Sequence, residues 1–317
     1  MKTGKFVKTA IIALALIVLL AGAAFAGGGK QSEGEKVFRV GYANSSDSDF
    51  FKKLLADEVA ALIKPDKNFE ITFVNADQDL QKQFDQFDMF IAQKMDAIIV
   101  EPVDQAGIAP AIQKANAAKI PVLSICSRSS GGDFTYIGNT YIDGGIMQGD
   151  YMIKALPQNA KIVYMIGQLG YDHSRDRRAG FLDTLQKARP DVSLLAEQTA
   201  NYDRAEGMKL MEDWIQAYPQ IDGIICANDQ MALGAIQALK AANRLAGTHI
   251  AGVDATDEAL RCVKSGEMDI TILQSAPLEA EGAYDCLKKL RAGQPIPKDV
   301  IIPQIAITKD NVNEYLK

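Results

Sequence analysis

Short, continuous apolar runs that alternate with amphipathic stretches constrain this chain more than any other feature. The first series opens with a β-rich run at 37–43, after which Phe51, Leu55, Val59 and Leu62 recur at helical spacing. A strand at 69–74 follows, then a helix carrying Leu80, Phe84, Phe87 and Ile91, and a short apolar strand at 97–100. Residues 104–118 read as helix and 120–125 as strand, with Pro121 at its start, where a missing N–H is tolerated. A short extended segment at 136–138 closes the series. The rhythm then restarts, with strands at 161–166, 192–196, 223–226, 250–253 and 270–273. Helices at 175–188, 204–217, 231–241 and 258–263 separate them. A last helix at 278–290 precedes a β-like run at 300–307 that Pro303 interrupts. Strands without polar alternation must be covered on both faces, so the pattern predicts parallel sheets between layers of helix.

Two series of similar size predict an α/β chain with two doubly wound parallel-sheet lobes. The 317 residues suit two cores better than one giant domain. A composition of 48% hydrophobic and 23% charged residues supplies both cores and excludes disorder for the bulk of the chain.

At the N-terminus, Lys2, Lys5 and Lys8 precede an uncharged apolar run at 10–26 that ends Ala24-Phe25-Ala26, before Gly27-Gly28-Gly29. A basic start, an apolar stretch and a small-x-small end are the parts of a secretory signal. Cleavage is expected after Ala26, with 27–36 as a linker; an uncleaved anchor is the alternative. No cysteine directly follows the run, which argues against a lipid anchor. The expected destination is the periplasm or the cell exterior. Losing three lysines makes a chain of net charge −6 more acidic still, which argues against nucleic acid as a partner. The four cysteines are too few for a disulfide scaffold. Cys262 and Cys286, on consecutive predicted helices, are the one candidate bridge, and Cys226 reads as a buried small hydrophobe.

Signatures of catalysis are missing. The chain has no Gly-x-x-x-x-Gly-Lys-Ser/Thr loop, no glycine-rich turn after the first strand and no Gly-x-Ser-x-Gly elbow. Of its two histidines, His173 falls in a polar stretch between Asp172 and Ser174 and reads as a surface residue. No second histidine or cysteine joins it in a recognisable metal set. No metal, cofactor or catalytic residue is expected.

What stands out is the set of polar and aromatic residues at the carboxyl ends of strands, where open α/β sheets bind ligands. Phe50 and Phe51 begin a helix after the first strand, and Cys126-Ser127-Arg128 follow the fourth. Arg175 follows the strand at 161–166, and Tyr202 precedes a helix start. Asn228, Asp254 and Gln274 each close an apolar strand. Phe51 also begins the helix's apolar series, which makes Phe50 the better stacking candidate, while Asp203 and Asp229 read as helix caps. Amides, carboxylate, arginine and rings together suit a neutral ligand rich in hydroxyls.

This arrangement resembles the periplasmic sugar-binding proteins of ABC transporters, of the ribose-binding type, over essentially the whole chain from Val37. The resemblance is carried by Phe50-Phe51, Gly144-Gly145, the run from Arg175 to Phe181, Tyr202-Asp203-Arg204, Asn228-Asp229-Gln230-Met231-Ala232-Leu233-Gly234, Val253-Asp254-Ala255-Thr256, and Gln274 with Pro277. It implies two lobes joined by a three-strand hinge, the periplasmic binding protein type I fold. On this pattern 37–138 with 275–303 form the N-terminal lobe, and 139–274 with 304–317 the C-terminal lobe. It also implies a ligand enclosed by Phe50, Phe51, Arg175, Tyr202, Asn228, Asp254 and Gln274. Three positions depart from the ribose pattern. Ser48 stands for an asparagine, Cys126-Ser127 for an aspartate-arginine pair with Arg128 one place late, and Tyr202 for a phenylalanine. These departures argue against ribose itself and leave another sugar or polyol, a deoxysugar or a nucleoside-like compound. The implied role is an exported, monomeric, non-enzymatic binding protein that serves an ABC transporter permease. Presentation to a membrane chemoreceptor or sensor kinase is the alternative, and a secreted enzyme on the same scaffold a third. The repressors that share the fold carry a DNA-binding segment where this chain has its signal.

Overall fold

A computed structural model describes residues 36–316. The predicted signal and all of the linker except Lys36 therefore lie outside the described residues. Among the described residues no helix is long and apolar enough to cross a membrane.

The first series folds as β1 (Phe38–Asn44), α1 (Phe50–Ile63), β2 (Phe69–Asn75), α2 (Leu80–Ala92), β3 (Ala97–Val100), α3 (Ala109–Ala117), β4 (Val122–Ile125) and β5 (Thr135–Gly138). The second comprises α4 (Tyr141–Ala155), β6 (Lys161–Ile166), α5 (Asp172–Ala188), β7 (Ser193–Thr199), α6 (Arg204–Ala217), β8 (Gly223–Cys226), α7 (Asp229–Ala241), β9 (His249–Val253), α8 (Asp257–Ser265) and β10 (Ile270–Leu273). Then come α9 (Ala276–Arg291), β11 (Asp299–Ile301) and β12 (Ile305–Thr308). Two six-stranded sheets result, ordered β11-β5-β4-β3-β1-β2 and β12-β10-β9-β8-β6-β7. Every pairing is parallel except β10 with β12. These are two doubly wound α/β lobes joined by a hinge, as the alternation predicts.

The chain passes between the sheets three times: after β5, after β10, and at Pro303 between β11 and β12. The β-like run at 300–307 is thus two strands in two different sheets, because proline cannot continue a ladder. Each sheet is covered on both faces. In the first lobe, Leu55, Val59 and Ile63 of α1 pack with Ala280, Ala283 and Leu287 of α9 on one face, and Phe87, Phe90 and Ile112 on the other. In the second lobe, Met211, Trp214, Met231 and Leu239 cover one face, and Met152, Phe181 and Leu185 the other. Phe87 and Phe90 are fully buried, and truncating either to alanine would cost about 3–5 kcal/mol.

Four details differ from the sequence reading. The helix expected from 104 starts at Ala109, because the Asp104 carboxylate closes its own turn by accepting from the Gly107 N–H at 2.6 Å, and Pro110 sits in the first helical turn. Helix α5 begins three residues earlier than expected, at Asp172. Asn228 rather than Asp229 caps α7, accepting from the Met231 N–H at 3.0 Å. Finally, all four cysteines are free. Cys262 packs in the core of the second lobe and Cys286 in the core of the first, which rules out their pairing.

Close helix packing fixes the second lobe's cleft wall. A Cβ at Gly145 on α4 would stand 2.1 Å from the Arg177 carbonyl oxygen, and one at Gly180 on α5 would stand 2.2 Å from that of Ile142. Only glycine permits this mutual approach, and it locks α5 and its arginine against α4.

Candidate functional site

In each sheet the strand order reverses between two neighbours, β1 and β3 in the first and β6 and β8 in the second. The loops leaving these strands diverge there and leave a crevice. The two crevices face one another across a narrow cavity. Asp49, Phe51, Lys52 and Cys126 line it from the first lobe, His173, Arg177, Tyr202, Asn228 and Asp254 from the second, and Gln274 from the hinge.

The first lobe's wall is built by the start of α1. Asp49 caps this helix, its Oδ1 accepting from the N–H groups of Phe51 at 3.0 Å and Lys52 at 3.2 Å. The cap turns the Phe51 ring and the Lys52 ammonium toward the cavity. Cys126, directly after β4, has φ 62°, and its carbonyl accepts from the hydroxyls of Tyr136, at 3.0 Å, and Tyr141.

In the second lobe, the early start of α5 brings His173 into the cleft wall. Its ring lies 4.8 Å from that of Tyr171, 5.2 Å from Tyr202 and 5.5 Å from Tyr141. Burial, together with the nearby Arg177 and Lys52 cations, pushes its pKa well below the usual value, so the imidazole is neutral. The Tyr202 hydroxyl shares a 2.6 Å hydrogen bond with the Ser174 hydroxyl. Its ring passes where a Cβ of Gly167 would be, only 2.0 Å away.

Arg177 is the buried cation of this lobe, 3% exposed. Its guanidinium donates to the Ala227 carbonyl at 2.8 Å and to the Gln274 amide oxygen, and its Nε is buried without a partner. Gln274 in turn donates to Glu279 Oε1 at 3.2 Å. Asn228 Nδ2 donates to the Tyr202 carbonyl at 3.1 Å, which ties the two residues together. Asp254 closes β9 with φ 114°, and among the described residues its carboxylate has no hydrogen-bond partner. Burial raises its pKa, with Arg177 pulling the other way. Cys126, Tyr202 and Asp254 all hold positive φ, a strain of about 1–3 kcal/mol each. The cavity thus offers free acceptors at Asp254, a free donor at Arg177 and aromatic faces at Phe51, His173 and Tyr202. Among the described residues no cluster of histidine, cysteine and acidic side chains could hold a metal ion.

The expected residues divide accordingly. Phe51, Cys126, Tyr202, Asn228, Asp254 and Gln274 meet at the cavity. Phe50 does not: it is 50% exposed and lines a groove outside, with Leu54, Glu58 and Pro277. Ser48 is exposed, its hydroxyl 2.8 Å from that of Ser46. Arg175 points to solvent and pairs with Asp176 at 2.7 Å, because two residues along a helix turn a side chain to the far side. Arg128 lies over the Tyr136 ring at 3.8 Å and pairs with Asp299 at 2.7 Å. Ser127 bridges the lobes instead, donating to Asp172 Oδ1 at 2.8 Å, while the Arg128 N–H donates to Asp172 Oδ2 at 3.2 Å. Gln168 Nε2 donates to Gln78 Oε1 at 2.6 Å across the same gap.

Sequence reasoning missed Asp49, Lys52, His173 and Arg177. Lys52 carried a signal: it stands in register with Ala56, Val59 and Ile63, a charge on the buried stripe of α1.

A family model described as periplasmic binding protein domain matches residues 40–295. A xylitol-binding protein of Mycolicibacterium smegmatis is 36% identical over 250 residues, 78% of this chain and 70% of the relative. Among solved structures, an ABC transporter solute binding protein from Bacillus halodurans C-125 with bound myo-inositol superposes with a TM-score of 0.84 at 30% identity, covering 90% of this chain and 99% of that one. The Caulobacter myo-inositol binding protein, bound to myo-inositol, gives 0.80 at 27% identity, covering 88% and 96%.

Proposed function

Since the chain belongs to the periplasmic binding protein domain family, and within it to the sugar- and polyol-binding proteins of ABC transporters, we propose that it captures a single small ring, a monosaccharide or cyclic polyol, and delivers it to a membrane permease. It is a binding protein, not an enzyme, of the periplasm or cell exterior. Cleavage after Ala26 is part of the proposal.

One observation carries the reading: donors, acceptors and rings from both lobes converge on one cleft between them. Two of the solved structures that the chain resembles hold a single ring, myo-inositol. Asp254 accepts from ligand hydroxyls, Arg177 and Asn228 donate to their oxygens, and the Phe51 and Tyr202 rings cover C–H faces. Contacts from both lobes favour the closed form, so ligand shifts the open–closed equilibrium toward closure.

The test is a thermal-shift and calorimetric screen of myo-inositol, xylitol, pentoses and hexoses, with mass spectrometry of whatever copurifies. Saturable binding of a polyol or monosaccharide is expected. Failure of every member to bind, or copurification of an unrelated compound, overturns the reading.

A further inference from the structure

The Lys52 ammonium is 2% exposed and lines the ligand cavity. Its environment is built for it. Ser45, just after β1, accepts a hydrogen bond from Nζ at 3.0 Å, and Glu101, just after the neighbouring β3, holds its carboxylate 3.6 Å away. The face of the Tyr171 ring from the other lobe lies 4.0 Å from Nζ. A buried cation costs several kcal/mol without compensation, and Glu101 supplies the countercharge from behind. Burial is the largest single influence and opposes the charge on Lys52, but Glu101, Asp49 and Tyr171 together outweigh it, so the ammonium stays protonated. Among the described residues, Ser45 is the one hydrogen-bond acceptor that Nζ reaches. An ammonium carries three N–H donors; Ser45 takes one, and Glu101 at 3.6 Å lies beyond ordinary hydrogen-bond distance.

The first lobe has no aspartate-arginine pair after β4, where Cys126 and Ser127 stand. Asp49 and Lys52, from the first turn of α1, bring an acid and a base to the same cavity instead. We propose that Lys52, set by Ser45 and Glu101, is the specificity-determining residue of the first lobe and donates to one hydroxyl oxygen of the bound ring. This rests on the sugar and polyol reading and sharpens it: the site reads an oxygen at one ring position, and a ligand lacking that hydroxyl leaves a buried ammonium unsatisfied.

A hydrogen bond to a charged donor is worth enough to separate parent from analogue by about ten- to hundredfold. The experiment takes the tightest binder among myo-inositol, D-ribose, D-glucose, D-galactose and xylitol and measures its monodeoxy analogues by calorimetry. The proteins are wild type, E101Q, and the double variant K52M/E101Q, which avoids stranding the carboxylate. Wild type is expected to bind one analogue about ten- to hundredfold more weakly than its parent, E101Q to keep part of that difference, and the double variant to bind the two equally. Loss of the Tyr171 contact weakens all ligands by one factor and leaves that ratio untouched, so a merely structural role predicts no change in it. Should the double variant not fold, K52L/E101Q, which also lacks the donor, makes the same comparison. Retention of the wild-type ratio at every hydroxyl overturns the assignment of Lys52. Absence of binding by all five parents overturns the sugar and polyol reading itself.

Discussion

The Ser127 hydroxyl donates to the Asp172 carboxylate at 2.8 Å, and the two residues belong to different lobes. Neither side chain is among those that line the cavity, so the bond acts on closure rather than on recognition. Removing it with S127A is expected to cost about 1 kcal/mol of closed-state stability. Every ligand should lose the same factor in affinity, which calorimetry with two chemically different ligands checks. Small-angle scattering should show the variant more open at a given ligand concentration.

Two arginines one turn-fraction apart should behave oppositely. R177A removes a buried donor and leaves Gln274 and the Ala227 carbonyl without it, so affinity should fall by about 1–3 kcal/mol. R175A removes an exposed pair with Asp176 and should stay within about 0.5 kcal/mol. Titration calorimetry on both variants decides the assignment.

Helix contact at Gly145 leaves no room for a methyl group. G145A pushes against the backbone of α5 at Arg177, which cannot rotate away, and should destabilise by about 1–3 kcal/mol despite alanine's better helix propensity. Thermal unfolding should show the loss, and ligand affinity should drop with it because Arg177 is displaced.

Above the ordinary histidine value, where the neutral His173 no longer opposes it, stability should decline as pH rises toward 8. Burial raises the Glu279 carboxyl from 4.5 to about 8, against the pull of Gln274 and Arg177. Burial likewise raises Asp229 to about 7, against its bonds to Thr256 and Thr271. Each binds its proton more tightly folded than unfolded. The contribution is therefore fully present below the unfolded value and lost as pH climbs through the folded one. E279Q should flatten the profile of melting temperature against pH; an unchanged profile would remove Glu279 as a cause.

Much of this molecule was legible beforehand, and for a physical reason. Buried parallel strands need unbroken apolar runs, so 223–226, 250–253 and 270–273 announce themselves, and Asn228, Asp254 and Gln274 stand just beyond their ends. Helix phase was not legible at α5. Its first turn, Asp172-His173-Ser174, is polar and looks like loop, so the sequence pattern starts the helix late and favours Arg175 over Arg177 as the inward arginine. His173 is hidden for the same reason: its neighbours do not tell that Tyr141 and Tyr202, from elsewhere in the chain, join Tyr171 around it. Lys52 needed knowledge of Glu101, which lies on another strand and satisfies it through space.

Each sheet receives one edge strand from the stretch after α9, β11 for the first and β12 for the second. Neither lobe can complete its sheet while the ribosome is still adding those residues. The two halves therefore finish folding together and late, and an interrupted product lacking 299–308 would be deficient in both rather than intact in one.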